Sequence, residues 1–123
     1  EQLDKVRLPY NINVLTQVST EFALAHRDVF DAQTAAIRIQ RERMYTALST
    51  MKAVRVFPSQ ANFILIRVGE GQALPVFNAL KQSGLLVKLS HGSHPLLQDC
   101  LRLTVGTEEE NAKLLAALGE ALA

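Results

Sequence analysis

Apolar residues recur along this chain in two rhythms, and the change from one to the other divides it. Leu15, Val18, Phe22 and Ala25 fall at helical spacing behind Asn13, whose side chain can accept the first free N–H groups of a helix. A break near His26, Arg27 and Asp28 precedes a second helical run with Ile37, Met44, Leu48 and Met51. Its polar side, with Arg38, Arg41, Glu42 and Arg43, reads as solvated. From residue 54 the period shortens to that of strands. Residues 54–57 and 62–68, rich in Val, Ile and Phe, flank the connection Pro58-Ser59-Gln60-Ala61. Leu74, Phe77 and Leu80 mark one face of a helix that Gly84 can close, and 85–89 supplies a third strand. The loop Ser90-His91-Gly92-Ser93-His94-Pro95 leads to a fourth strand at 100–105. Thr107 and Glu110 are spaced as a capping box for a last helix, whose Leu114, Leu115, Leu118 and Leu122 seek a core.

The order is thus α-α-β-β-α-β-β-α. It predicts an α/β (α+β) domain with a small mixed sheet of about four strands and helices packed mainly on one face. With 123 residues, 48% of them apolar and 20% charged, one domain with a single core is expected. Thirteen basic against 12 acidic residues leave a charge of +1, which removes the broad electrostatic footprint of a nucleic-acid or membrane-surface binder. Any anion must be held locally. The single cysteine, Cys100, excludes an internal disulfide. No apolar run approaches the roughly 20 residues of a membrane span, and the start lacks a signal-like core, so a soluble cytoplasmic protein is expected. The opening at Glu1, without methionine, is compatible with a piece of a longer chain.

Strand alternation supplies the first candidate chemistry. Leu101, Leu103 and Val105 share one face of the fourth strand, and Cys100, Arg102 and Thr104 share the other. Lys88 alternates in the same sense against Val87 and Leu89. If the apolar faces meet the helices, Arg102 and Lys88 stand together on the far side. There guanidinium can fork onto a carboxylate or phosphate while ammonium adds a point charge. The alternative is a solvated face with incidental basic residues. His91 and His94 are spaced H-x-x-H, but in a Gly- and Pro-containing loop with only Cys100 as a third ligand, so no metal site is expected. Cys100 has no orienting partner for nucleophilic chemistry. The residues by themselves make no complete catalytic set.

Three stretches carry a resemblance. Lys5-Val6-Arg7-Leu8-Pro9-Tyr10-Asn11-Ile12-Asn13, Phe57-Pro58-Ser59-Gln60-Ala61-Asn62-Phe63-Ile64-Leu65, and Cys100-Leu101-Arg102-Leu103-Thr104-Val105-Gly106-Thr107 with Glu110-Asn111 resemble, in order, the C-terminal part of the histidinol-phosphate aminotransferases. The resemblance covers essentially the whole chain but only about the last third of that family's. It implies the small domain of a pyridoxal-phosphate enzyme, here residues 1–123, with 1–13 as the linker from a large domain. The implied reaction exchanges an amino group between glutamate and imidazole-acetol phosphate in histidine biosynthesis. The Schiff-base lysine and the cofactor site would lie N-terminal to this chain; Lys5 does not match that lysine, no residue present is assigned a catalytic role, and no cofactor is expected on this piece alone. The implied partners are small molecules, glutamate and a phosphate-bearing amine, with no nucleic acid, no membrane, and a homodimer as the complete enzyme.

Onto this sequence the family's substrate-binding arginine falls on Arg102. A second family arginine falls on Lys88, which keeps the charge and loses the fork. Asn62 sits where related enzymes bring a loop toward substrate, or else is a turn residue at a strand start. Tyr10 and Asn11 would border the site or simply enter the helix. A threonine-phosphate decarboxylase of cobalamin synthesis is the alternative enzyme, and a self-standing anion-binding or regulatory domain the alternative class.

Overall fold

The computed structural model describes residues 12–123. Lys5, Tyr10 and Asn11, and with them most of the expected linker, lie outside the described residues. Two compact units are distinguished, Glu1–Thr34 and Ala35–Ala123. Among the described residues the buried core lies in the second.

In the first unit, helix α1 spans Val14–Ala25, and Asn13 caps it by accepting from the Thr16 N–H at 2.9 Å. None of its residues is buried. Leu15, Val18 and Phe22, which fall at helical spacing, are exposed.

Helix α2 spans Arg27–Ser49, and its Met44 and Leu48 enter the core of the second unit. Strands β1 (Arg55–Val56) and β2 (Phe63–Arg67) follow, then helix α3 (Ala73–Gln82), strand β3 (Lys88–Leu89), strand β4 (Cys100–Thr104) and helix α4 (Glu108–Ala121). The sheet order is β1-β2-β4-β3, and every neighbouring pair is antiparallel. The sheet is therefore not mixed. β2 and β3, joined through α3, do run parallel, but β4 inserts between them and pairs antiparallel with both.

Ile64, Ile66 and Val68 of the β2 segment and Leu101, Leu103 and Val105 of the β4 segment are buried on one sheet face. Against them stand Met44, Leu48, Ala73, Val76, Leu80, Leu114 and Leu118. At about 25 cal/mol per Å2 of apolar surface removed from water, this layer is the main source of stability. The expected face of α3 is rotated: Ala73, Val76 and Leu80 are buried, Phe77 is partly covered and Leu74 is 52% exposed. Small side chains at 73 and 76 let the helix lie close to the sheet, which the larger Leu74 would prevent. The third strand is shorter than the expected 85–89. The Leu85 N–H is used on the Leu80 carbonyl after Gly84, at φ +77, turns the chain out of α3. The capping box forms as expected, with Thr107 and Glu110 each accepting the other's backbone N–H. Among the described residues no helix is long and apolar enough to cross a membrane.

Candidate functional site

Because paired residues of neighbouring strands share a face, the register decides which side chains stand together. Lys88 lies opposite Arg102, and Arg102 opposite Leu65. One pleat further along, Arg55 pairs with Arg67, and Arg67 with Cys100. Since Ile64, Ile66, Leu101 and Leu103 all point into the core, these rows lie on the opposite face of the sheet. Four cations, Arg55, Arg67, Lys88 and Arg102, thus project from one face of the sheet.

Arg102 is the least ordinary of the four. It is only partly exposed, and its guanidinium carbon sits 5.0 Å from the centroid of the Phe63 ring. Its Nε is buried and has no hydrogen-bond partner among the described residues. An orphaned buried donor costs about 1–3 kcal/mol, and a like charge directly opposite adds to that. The stack on Phe63 returns part of it, about 0.5–2 kcal/mol. Anionic oxygen would satisfy the donor and offset the repulsion with Lys88. Lys88 itself is exposed and free to turn toward the same anion. The structure therefore brings together the two residues expected from alternation. Phe63, which seats the guanidinium, was not singled out by sequence reasoning, although it lies two residues from Leu65 on the same side of β2.

The other pair is engaged differently. Arg67 donates from Nε to the Gln98 carbonyl at 3.0 Å and from Nη2 to the Leu96 carbonyl at 2.6 Å, tying the loop before β4 to the sheet. The Arg55 and Arg67 guanidiniums lie 5.2 and 5.6 Å from the Phe57 ring centroid. Asn62 is exposed just before β2, and its carbonyl accepts the Val105 N–H at 2.9 Å, so its backbone closes the ladder while its side chain faces solvent.

Arg41 corrects an expectation. Sequence pattern placed it on a solvated side, but it is 7% exposed. Its Nη1 donates to the Ala61 carbonyl at 3.3 Å, and its Nη2 to Glu42 at 3.1 Å. A cavity of about 240 Å3 beside it is lined by Arg41, Glu42, Tyr45, Pro58, Ser59 and Gln60. The signal was present: Ile37, Arg41, Met44 and Leu48 are spaced i, i+4, i+7, i+11, the stripe of a core-facing helix, with a charged residue in it.

His91, His94 and Cys100 do not converge. His91 Nδ1 accepts the Asp99 N–H at 3.0 Å, and His94 Nδ1 accepts the Leu96 N–H at 3.1 Å. Cys100 is fully buried, with its Sγ 3.5 Å from the Gln98 carbonyl. Each is occupied by its own loop. Among the described residues no three His, Cys, Asp or Glu side chains are grouped to hold a metal ion.

Comparison with known proteins completes the picture. The family model described as aminotransferase class I and II matches residues 1–118. Histidinol-phosphate aminotransferase from Chromobacterium violaceum is 51% identical over 117 residues, which are 95% of this chain and 32% of that protein. Among solved structures, the histidinol-phosphate aminotransferase of Clostridium acetobutylicum superposes with a TM-score of 0.81 at 23% identity, covering 95% of this chain and 36% of that one. L-threonine-O-3-phosphate decarboxylase from Porphyromonas gingivalis does so with a TM-score of 0.74 at 24% identity, covering 89% and 34%. These last two likenesses concern the fold alone. The chain spans about a third of the length of the curated relatives it matches.

Proposed function

The chain belongs to the class I and II aminotransferase family, and from that premise we propose that the protein carrying it is a histidinol-phosphate aminotransferase, exchanging an amino group between glutamate and imidazole-acetol phosphate in histidine biosynthesis. Identity near 50% to relatives of that name supports this choice over the decarboxylase, whose likeness is one of fold. The observation that carries the site is Arg102: a partly buried guanidinium on the sheet face away from the core, its Nε without a partner among the described residues, directly opposite Lys88.

On this reading Arg102 forks onto the carboxylate of glutamate and the phosphate of the second substrate, while Lys88 adds charge for the phosphate. Phe63 holds the guanidinium at its working height above the sheet. Asn62 remains a neighbour of the substrate at the mouth of the site, a proposal supported by its exposure beside Phe63.

Pyridoxal phosphate, when bound, would supply the electron sink for amino transfer. The described residues of this chain do not fit it. Lys52, Lys81, Lys88 and Lys113 are all exposed, and none lines the cavity beside Arg41 or a second one of about 270 Å3 lined by Gly84, Leu85, Val87, Thr104, Glu110 and Leu114 among others. The proposal therefore assigns the cofactor to sequence N-terminal to this chain, with this unit covering the substrate and a homodimer as the assembly. The test is Arg102→Ala in the full-length protein. Truncating one partner of a buried charge pair costs about 2 to 5 kcal/mol, which lowers kcat/KM for both half-reactions by roughly 30-fold to several thousand-fold. Cofactor content stays unchanged. Near-native kcat/KM for both substrates, or loss of cofactor instead, would remove Arg102 from the site.

A further inference from the structure

We propose that Arg41 is a positioning residue for the anion site, acting on Arg102 through the Ala61 carbonyl and the Phe63 ring; the inference rests on the reading of Arg102 given above. An arginine 93% withdrawn from water must have its charge and donors met, and the way Arg41 meets them is informative. Nε and Nη2 both reach one oxygen of Glu42, its sequence neighbour on α2, at 3.3 and 3.1 Å. Those contacts stay within the helix. Nη1, at 3.3 Å from the Ala61 carbonyl, is the contact that leaves it.

Ala61 lies in the middle of a tightly bonded turn. The Ser59 hydroxyl accepts the Ala61 N–H at 3.1 Å and donates to the Phe63 carbonyl at 2.5 Å. The first bond shapes the turn, and the second joins it to the start of β2, where Phe63 pairs with Thr104 of β4. The Val105 N–H fixes Asn62 at the far end. Arg41 is what ties the turn to α2, and through α2 to Met44 and Leu48 in the core.

The next link is Phe63. With Nε unpartnered, the Arg102 guanidinium takes its position from the ring beneath it. That contact measures 5.0 Å, and such attraction fades beyond about 6 Å from the centroid. Phe63 is the terminal residue of the β2 ladder, next to the turn that Arg41 holds, so a shift of about 1 Å at that end of β2 is enough to unseat Arg102, and misplacements of that size cost binding geometry steeply. A buried arginine that never touches substrate would in this way set where substrate is gripped.

The experiment uses the full-length protein with glutamate and histidinol phosphate as substrates. Arg41→Met keeps the apolar stem and removes the guanidinium. We expect KM for both substrates to rise about tenfold, with kcat within about twofold and cofactor content unchanged. A merely structural Arg41 would instead lower melting temperature and active fraction, reducing kcat and leaving KM in place. The decisive measurement is the cycle with Phe63→Leu. If Arg41 acts through the ring, Arg41→Met adds nothing further to KM once the ring is gone. Should Arg41→Met be insoluble, Arg41→Lys, which keeps a buried cation but not the fork, is read by the same cycle. Arg102→Ala separates the two levels. If it leaves kcat/KM near native for both substrates, the anion site fails and this inference with it. If it lowers kcat/KM while the Arg41 variants leave KM in place, or while they add independently to Phe63→Leu, the positioning role alone is overturned.

Discussion

Arg102→Met separates binding from stability more sharply than any other substitution, because the structure assigns the two opposite signs. Methionine keeps the stem of the side chain and its packing, and removes the guanidinium. What is lost from the folded state is the stack on Phe63, about 0.5–2 kcal/mol. What is gained is relief of the unpartnered buried Nε, about 1–3 kcal/mol. The net change lies between a loss of about 1 and a gain of about 2.5 kcal/mol, and removing the like charge opposite Lys88 shifts it toward gain. Urea unfolding of the 123-residue chain, followed by far-ultraviolet circular dichroism, reads this directly. At a slope of about 1–3 kcal/mol per molar urea, a gain of 1 kcal/mol moves the midpoint up by about 0.3–1 M. A structural arginine would behave otherwise, since breaking a satisfied buried charge pair costs about 3–5 kcal/mol. A loss above about 2 kcal/mol, with the slope unchanged, would refute the reasoning and make Arg102 a tie of the fold. Stability kept or raised, beside the kinetic loss of Arg102→Ala in the full-length protein, is the signature of a residue held ready for a ligand.

Lys88→Ala in the full-length protein should raise KM several-fold for the phosphate-bearing substrate and less for glutamate, whereas Lys88→Arg should be tolerated because it restores a fork on the same row; equal effects on both substrates would take Lys88 out of the site. Asn111, 4% exposed, accepts the Gly106 N–H at 2.9 Å and donates to the Gly106 carbonyl at 3.0 Å, so Asn111→Ala should cost about 2–4 kcal/mol by urea unfolding, and a cost under 0.5 kcal/mol would contradict that account. Elemental analysis should find no stoichiometric metal at His91, His94 and Cys100, and a chelator should leave the melting temperature in place; a zinc ion whose removal unfolds the chain would overturn this.

The sequence by itself determined the elements and their order, since helix and strand periods differ and each is written locally. The Asn13 cap, the Thr107 and Glu110 box and the alternation in Cys100–Thr104 depend on neighbours a few residues away. Alternation also sufficed to turn Arg102 and Lys88 off the apolar face. Which strands pair, however, is a long-range matter. That β4 lies between β2 and β3 makes the sheet antiparallel, sets Lys88 opposite Arg102, and puts Phe63 under the guanidinium. The choice of face on α3 was likewise open, because the set of Leu74 and Phe77 and the set of Ala73 and Val76 share one period and differ by a single residue, a rotation of about 100°. Room against the sheet decided for the smaller side chains. Arg41 is the clearest case. Its position on the stripe of Ile37, Met44 and Leu48 is legible in the sequence, but its charge argues for water; its neighbour Glu42 meets part of that charge, and a carbonyl arriving from Ala61, 20 residues away, meets the donor that remains.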